Sequence, residues 1–329
     1  MAAYTSYSGK NIAEDIDSII NNIDPTETPL YSSLKKRSAG NRKVEWLTDE
    51  IRPSNPANSV AEGADSVDSV LSSPKRFNNY VQEFQGVVNV ADIANAVDTI
   101  GYKQELGYKT SLEGKALKLD IEAAIVGNNA SRPGTAMTEG GLFAGMESWI
   151  KTASSHGTGG ETLGFNENTH LVSAPTDGTV RDLTEALLLD TLQISHEAGG
   201  TPSKIIVPAN LKRAISRFSG EAVRNMETKD RKVTNTVQII EGDFGIYDVS
   251  YHNKVRSTTV IAYDPALWEL AVLQGFKTKD LPANGSYQRK LLNTVVSLVC
   301  KNEKGNAKIA DVQRATTAPV TPTDPEGGE

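Results

Sequence analysis

The sequence has little of what most often announces chemistry. Its one cysteine, Cys300, stands in the apolar run NTVVSLVCK, so no disulfide framework or cysteine zinc site can form within one chain, which fits a reducing compartment. The four histidines, His156, His170, His196 and His252, are scattered without metal-ligand spacing, and His196-Glu197 does not continue into H-E-x-x-H. G-x-S-x-G is absent, and the glycines at 157–160 (GTGG) have no lysine after them to meet a phosphate. Aromatic residues make up 6%, thin for a platform that stacks single-stranded bases. There is no basic excess: a formal charge of -7, spread along the chain, argues against a protein whose main task is wrapping nucleic acid. No run approaches the roughly 18 apolar residues of a membrane span, and MAAYTSYSGKNIAEDID lacks a basic-then-apolar signal. The expectation is a chain made in the cytoplasm, with no membrane partner, no cofactor, no metal and no catalytic centre.

What is present is enough for a sizeable core. The 329 residues, 38% hydrophobic and 23% charged, have room for about two domains. The longest continuous helical pattern runs from Asp98 to Asn129, with Asp98 as N-cap and Gly127 as stop. Tyr102, Leu106, Leu117, Ile121 and Ala124 form one stripe, and the rod would be roughly 45 Å long. Gly107 and Gly114 inside it suggest close approach of another backbone.

Ahead of the rod, Met1 to Gly9 read as a loose arm, and Ile12, Ile16, Ile19, Ile20 and Ile23 repeat at helical spacing before Asp24-Pro25. So short a helix is marginal alone, so its isoleucines must dock on this body or a neighbour's. Leu30, Tyr31 and Leu34 offer one more turn. Lys35, Lys36, Arg37, Arg42 and Lys43 are five basic residues in nine, either a solvated turn or a cluster facing phosphate or a partner's acids. Arg42 to Ile51 alternates as a strand, about twenty Ser/Pro/Asn/Asp-rich residues follow, and RFNNYVQEFQGVVNV returns extended. A long excursion without its own structure usually has a job.

From Thr179 helices and strands alternate. Thr179 and Asp182 read as a cap pair; Leu183, Ala186, Leu187 and Ile194 as a buried stripe; and Gly199-Gly200 as a stop. KIIV (Lys204 to Val207) is a buried strand, Pro208 opens a helix with Leu211, Ile215 and Phe218 inside, and three extended runs follow. Together these make a mixed α/β module, Arg181 to Leu281. Tyr287 to Lys301 is a long strand expected to return to the first body rather than pair with the module's strands. The tail from Thr316 is Pro, Thr and acid rich.

DIDSIINNIDPTETPLYSSL, VEWLTDEI, FNNYVQEFQGVVNVADIANAVDTIG, KIIVPANLKRAISRF and YDPALWELAVLQGFKTKDL with KGNAKIADV, in that order over residues 11 to 312, resemble the major capsid proteins of tailed bacteriophages with the Hong Kong 97-type fold. The resemblance implies an α+β fold: an N-terminal arm (1–41), an extended E-loop hairpin (42–85), a peripheral domain (86–180 and 285–312) holding a spine helix at 98–129, an axial domain (181–284) and a disordered tail (313–329). It implies a structural subunit that joins its own copies in pentamers and hexamers, with scaffold, portal and decoration proteins as further partners and non-specific contact to packaged double-stranded DNA. Arm contacts would come from the isoleucines and loop contacts from Trp46, Glu62, Asp65 and Asp68, while Lys35 to Lys43 would face DNA or a partner. Some members join neighbours by a covalent bond from a loop lysine; here Ser54 to Ser73 holds no lysine, and Lys75 stands at the loop's base, so cohesion is expected to be non-covalent. An encapsulin-like compartment shares the fold, and an enzyme using the α/β lobe is the alternative from another class.

Overall fold

A computed structural model describes residues 28–52, 54–65, 68, 73–97, 104–135, 138–218 and 239–314. Along the chain the elements are α1 (Pro29–Ser33), β1 (Lys35–Ser38), β2 (Lys43–Thr48), β3 (Lys75–Tyr80), β4 (Gln82–Ala91), α2 (Asp92–Ala96), α3 (Glu105–Val126), α4 (Met146–Trp149), β5 (Ala153–Ser155), β6 (Gly164–Asn166), β7 (Leu171–Ser173), β8 (Arg181–Asp182), α5 (Glu185–Glu197), β9 (Lys204–Val207), α6 (Ala209–Phe218), β10 (Ile239–Gly242), β11 (Gly245–Tyr251), β12 (Val260–Tyr263), β13 (Trp268–Leu281), β14 (Tyr287–Cys300), β15 (Ala307–Ile309) and β16 (Val312–Gln313).

Period-two alternation builds the first body. In β14 Leu292, Thr294, Val296 and Leu298 point inward, and in β4 Phe84, Val88 and Val90 do the same. These faces sit side by side in a four-stranded sheet ordered β1-β13-β14-β4. The rod α3 covers that side: Leu117, Ile121 and Ile125 are buried in one core with Leu292, Val296, Phe143, Met146 and Trp149. Two expectations are corrected here. Gly114 faces the Leu292 side chain at ordinary van der Waals distance and Gly107 faces little, so among the described residues no backbone crosses the rod at either glycine. The strand β14 does return beside α3, yet it also makes a long antiparallel hairpin with β13, which the sequence assigns to the α/β module. The short 282–286 connection makes that hairpin cheap to close, whereas similarity of pattern alone does not name a strand's partner.

The second body is a six-stranded sheet, β10-β11-β9-β12-β15-β5, with α5 and α6 packed on its Ile205, Val207, Val249 and Val260 side chains. Its cap differs from the expected one. Arg181 and Asp182 are a strand paired with Val312 and Gln313, and Thr184 is the N-cap, its Oγ1 accepting from the Leu187 N–H at 3.3 Å. Of the expected stripe Leu183 is buried and Leu187 packs against the core, while Ala186 and Ile194 face out and Leu188, Thr191, Leu192 and Ser195 are the other buried positions. Gly199, at φ +84°, ends α5 in the left-handed conformation that glycine adopts without strain. The β15 strand comes back to this sheet from a segment expected with the first body, so chain entering and leaving ties the two cores together. The isoleucine helix (Ile12, Ile16, Ile19, Ile20, Ile23), Asp98, Tyr102 and residues 315–329 lie outside the described residues, while Gln313, expected in the tail, is the end of β16.

Candidate assembly surfaces

The hairpin β2–β3 is the projecting part. Its register pairs Lys43 with Tyr80, Trp46 with Phe77 and Thr48 with Lys75, and the chain then turns at Val81 into β4. Because β4 pairs with β14 from Gln82 onward, the hairpin ends at Tyr80, before the expected Phe84-Gln85 limit. The Trp46 ring lies 5.5 Å from Trp149, which stacks on Phe165 at 5.7 Å and meets Phe77 at 6.4 Å. An aromatic cluster of this kind gives large buried area plus ring-to-ring attraction. Trp46, expected to touch a neighbour, packs on this cluster of its own chain and stays partly exposed. Polar contacts fasten the base: Thr48 Oγ1 donates to the Lys301 carbonyl at 3.0 Å, Lys304 pairs with Glu50 at 2.8 Å, and Lys75 with Glu167 at 3.1 Å. The Lys304 ammonium holds the Glu50 carboxyl below its ordinary range, and Glu167 holds Lys75 above its own.

Beyond that base, every described residue from Asp49 to Pro74 is exposed, including Ile51 at 98% and Val60 at 70%. Glu62, Asp65 and Asp68 are among them, and within the described residues none of the three makes an ion pair. The basic cluster is split between two sheets. Lys35, Lys36 and Arg37 lie in β1, parallel to β13, while Lys43 opens β2. Lys35 is 3.9 Å from Glu269, Lys36 sits 4.1 Å over the Tyr31 ring, and Lys43 pairs with Glu45 at 2.7 Å. Three of the five charges thus have partners inside the chain, and lysines on the open edge of β1 discourage indiscriminate strand pairing.

Two buried polar networks were invisible as motifs because their members are far apart in sequence. Glu122 of α3 accepts from the Leu30 and Tyr31 N–H groups at 2.8 and 2.7 Å and from His252 at 2.8 Å, at the meeting of α1, α3 and the second sheet. Near β15, Lys308 is fully buried; its Nζ donates to the Glu147 carbonyl at 2.8 Å and to Thr162 Oγ1. Burial pulls Lys308 down to about 8 and pushes the Glu147 carboxyl up, although Arg256 bonds that carboxylate at 2.8 Å. Thr162 Oγ1 is also 2.8 Å from His156 Nε2, and His156 Nδ1 is 3.7 Å from Asp311. Thr162 and Asp311 are buried and His156 partly so, burial lowers the imidazole, and Asp311 holds the Gly157 loop, whose N–H donates to it at 3.1 Å. Among the described residues no cluster of His, Cys, Asp or Glu could hold a metal ion, and no helix is long and apolar enough to cross a membrane.

A long rod under a sheet, a hairpin fastened at its base and a separate α/β lobe define a capsid-shell subunit of the Hong Kong 97 type. The fold agrees with the cyanophage A-1(L) capsid asymmetric unit at a TM-score of 0.63, with 12% identity over 94% of this chain and 99% of that one. It agrees with the SrpI encapsulin of Synechococcus elongatus at 0.57, with 10% identity over 96% and 100%. The chain belongs to the SU10 major capsid protein family, whose pattern matches residues 2–313. It is 26% identical over 321 residues to the major capsid protein of Escherichia phage Phieco32, covering 85% of this chain and 88% of that protein. It is a phage major capsid protein, a structural component of the virion shell.

Proposed function

We propose that copies of this chain close into an icosahedral head of pentamers and hexamers that encloses double-stranded DNA. Residues 1–41 would act as the arm, 42–85 as the E-loop, 86–180 with 285–312 as the peripheral domain, and 181–284 as the axial domain. Assembly would take place in the host cytoplasm, with scaffold, portal and decoration proteins as further partners. The observation that carries this reading is the hairpin excursion: a loop with exposed Ile51 and Val60 is unburied in one copy and calls for cover from another. Isoleucines 12, 16, 19, 20 and 23 would dock in the same manner. Cohesion is by many weak contacts, which closure of a shell sums. The likeness to an encapsulin is one of fold alone, whereas the family match favours the phage head. Negative-stain electron microscopy of the purified protein tests the reading: closed shells or ring-shaped capsomers are expected. A monodisperse monomer or a small discrete oligomer would overturn it.

A further inference from the structure

The turn that closes the β13–β14 hairpin, residues 282–286, is exposed throughout and holds the one asparagine-glycine pair of the sequence, Asn284-Gly285. An asparagine side-chain carbonyl carbon can be reached by the next residue's amide nitrogen, closing a five-membered ring, when that N–H is free and no side chain stands in the way. At several other exposed asparagines the nucleophile is withheld. Asn55 is followed by Pro56, which has no N–H. The Ser59 N–H after Asn58 donates to the Ala57 carbonyl at 2.8 Å, the Thr169 N–H after Asn168 to Asn166 Oδ1 at 3.3 Å, and the Lys254 N–H after Asn253 to His252 Nδ1 at 3.2 Å. At Asn284 both conditions are met. Among the described residues neither the Gly285 N–H nor the Asn284 side chain makes a hydrogen bond, and Gly285 has no Cβ to shield the approach.

We propose that Asn284 is a modification site, where the chain deamidates itself with water as the co-reactant. The Gly285 nitrogen bonds to Asn284 Cγ, the Cγ–Nδ2 bond breaks, and ammonia leaves with the amide proton. Water then opens the cyclic imide at one of its two carbonyls. Breaking the new N–Cγ bond gives aspartate; breaking the bond to the backbone carbonyl gives isoaspartate, whose main chain runs through the side chain and is one carbon longer. The sum is one water consumed and one ammonia released, with no oxidation or reduction. Either product puts a carboxylate into an uncharged turn. The longer backbone matters because of what the turn holds. Ser286 Oγ donates to Asp92 Oδ2 at 2.9 Å, and the Asp92 N–H donates to the Ser286 carbonyl at 3.2 Å, so the turn fastens the start of α2. An added carbon at 284 displaces Ser286 from both contacts, next to the Leu281–Arg289 pair that ends the ladder. The site therefore marks the age of a chain with a charge and loosens this turn.

Peptide mapping by mass spectrometry, on the purified full chain held in warm neutral buffer, tests this. The tryptic peptide from Asp280 to Arg289 contains no other asparagine, so a gain of one mass unit there reports the site. Its conversion should run about tenfold ahead of that at Asn58, Asn168 and Asn253, because only at Asn284 is the attacking nitrogen both free and unhindered. An isoaspartyl methyltransferase should label the same peptide. Asn284→Gln should abolish both signals and leave the circular dichroism as in the parent. In urea, conversion at Asn168 and Asn253 should rise as the following N–H groups are released, whereas that at Asn284 should change little. Acid appearing first at another asparagine would overturn the proposal. So would a several-fold acceleration at Asn284 on unfolding, which would make the folded turn protective. Neither result depends on whether copies of the chain assemble.

Discussion

Glu122 and His252, 130 residues apart, meet at 2.8 Å inside the protein. His252 Nδ1 accepts from the Lys254 N–H at 3.2 Å, so the ring's proton sits on Nε2 and is donated to Glu122. The carboxylate accepts three hydrogen bonds in all, tying the root of the arm and the α/β lobe to the rod.

Glu122→Leu should disturb both attachments at once. It removes both acceptor oxygens, and the buried N–H groups left unsatisfied cost about 3 kcal/mol. The measurement is hydrogen exchange: amides of Leu30 and Tyr31 should exchange faster together with those around His252. Faster exchange at one site alone would refute the three-way junction.

Lys308 gives a signed pH dependence. Its folded value of about 8 lies below the 10.5 of an exposed lysine, so the unfolded chain holds the extra proton between those limits. Stability therefore carries a penalty below pH 8 that fades as pH rises toward 10.5. Burial holds the Tyr263 phenol well above its ordinary range, which opposes this trend above about pH 10, where unfolded tyrosine ionises. Urea midpoints should climb from pH 8 to about 9, above which ionisation of the Cys300 thiol in the unfolded chain opposes the rise, and the climb should be smaller in Lys308→Met, with partly buried Lys212 keeping its own part of it.

Removing the Trp46 ring should loosen the hairpin in the isolated subunit, before any assembly. A half-buried ring against Trp149 suggests a cost of about 2 kcal/mol, below the 3–5 of full burial. A shifted tryptophan emission together with a lower melting temperature would show it; a fully parental melting curve would count against the aromatic anchor.

Gly145 should tolerate no side chain. A Cβ there would lie 2.2 Å from the Gly127 carbonyl oxygen, so the turn after α3 would have to move. Gly145→Ala is expected to cost about 2 kcal/mol by overpacking, read as a lower urea midpoint.

Boiled particles should run on SDS gels as one band at the 35.4 kDa of the chain. Ladders of linked chains would contradict non-covalent cohesion.

Local pattern was enough for the sequence to specify the rod around Leu117 and Ile121, the strands at Lys204–Val207 and Tyr287–Cys300, the projecting loop and the absence of any ligand motif. Such signals lie within a few residues of one another, and period alone reveals which side of an element is apolar. It could not choose partners. That β14 pairs with β13, that Trp46 packs on Trp149, that Glu122 finds His252 and that Lys308 is entombed beside Glu147 were decided by the tertiary structure. The physical reason is that burial and pairing are settled by whichever distant surfaces fit, and the same isolated lysine or glutamate reads identically whether it ends in water or in the core. In α5 the sequence placed Leu183 and Leu187 on the core side, but Ala186 and Ile194 face out where Leu188, Thr191 and Leu192 are buried, because the arc of a helix that is covered is chosen by the sheet it packs on.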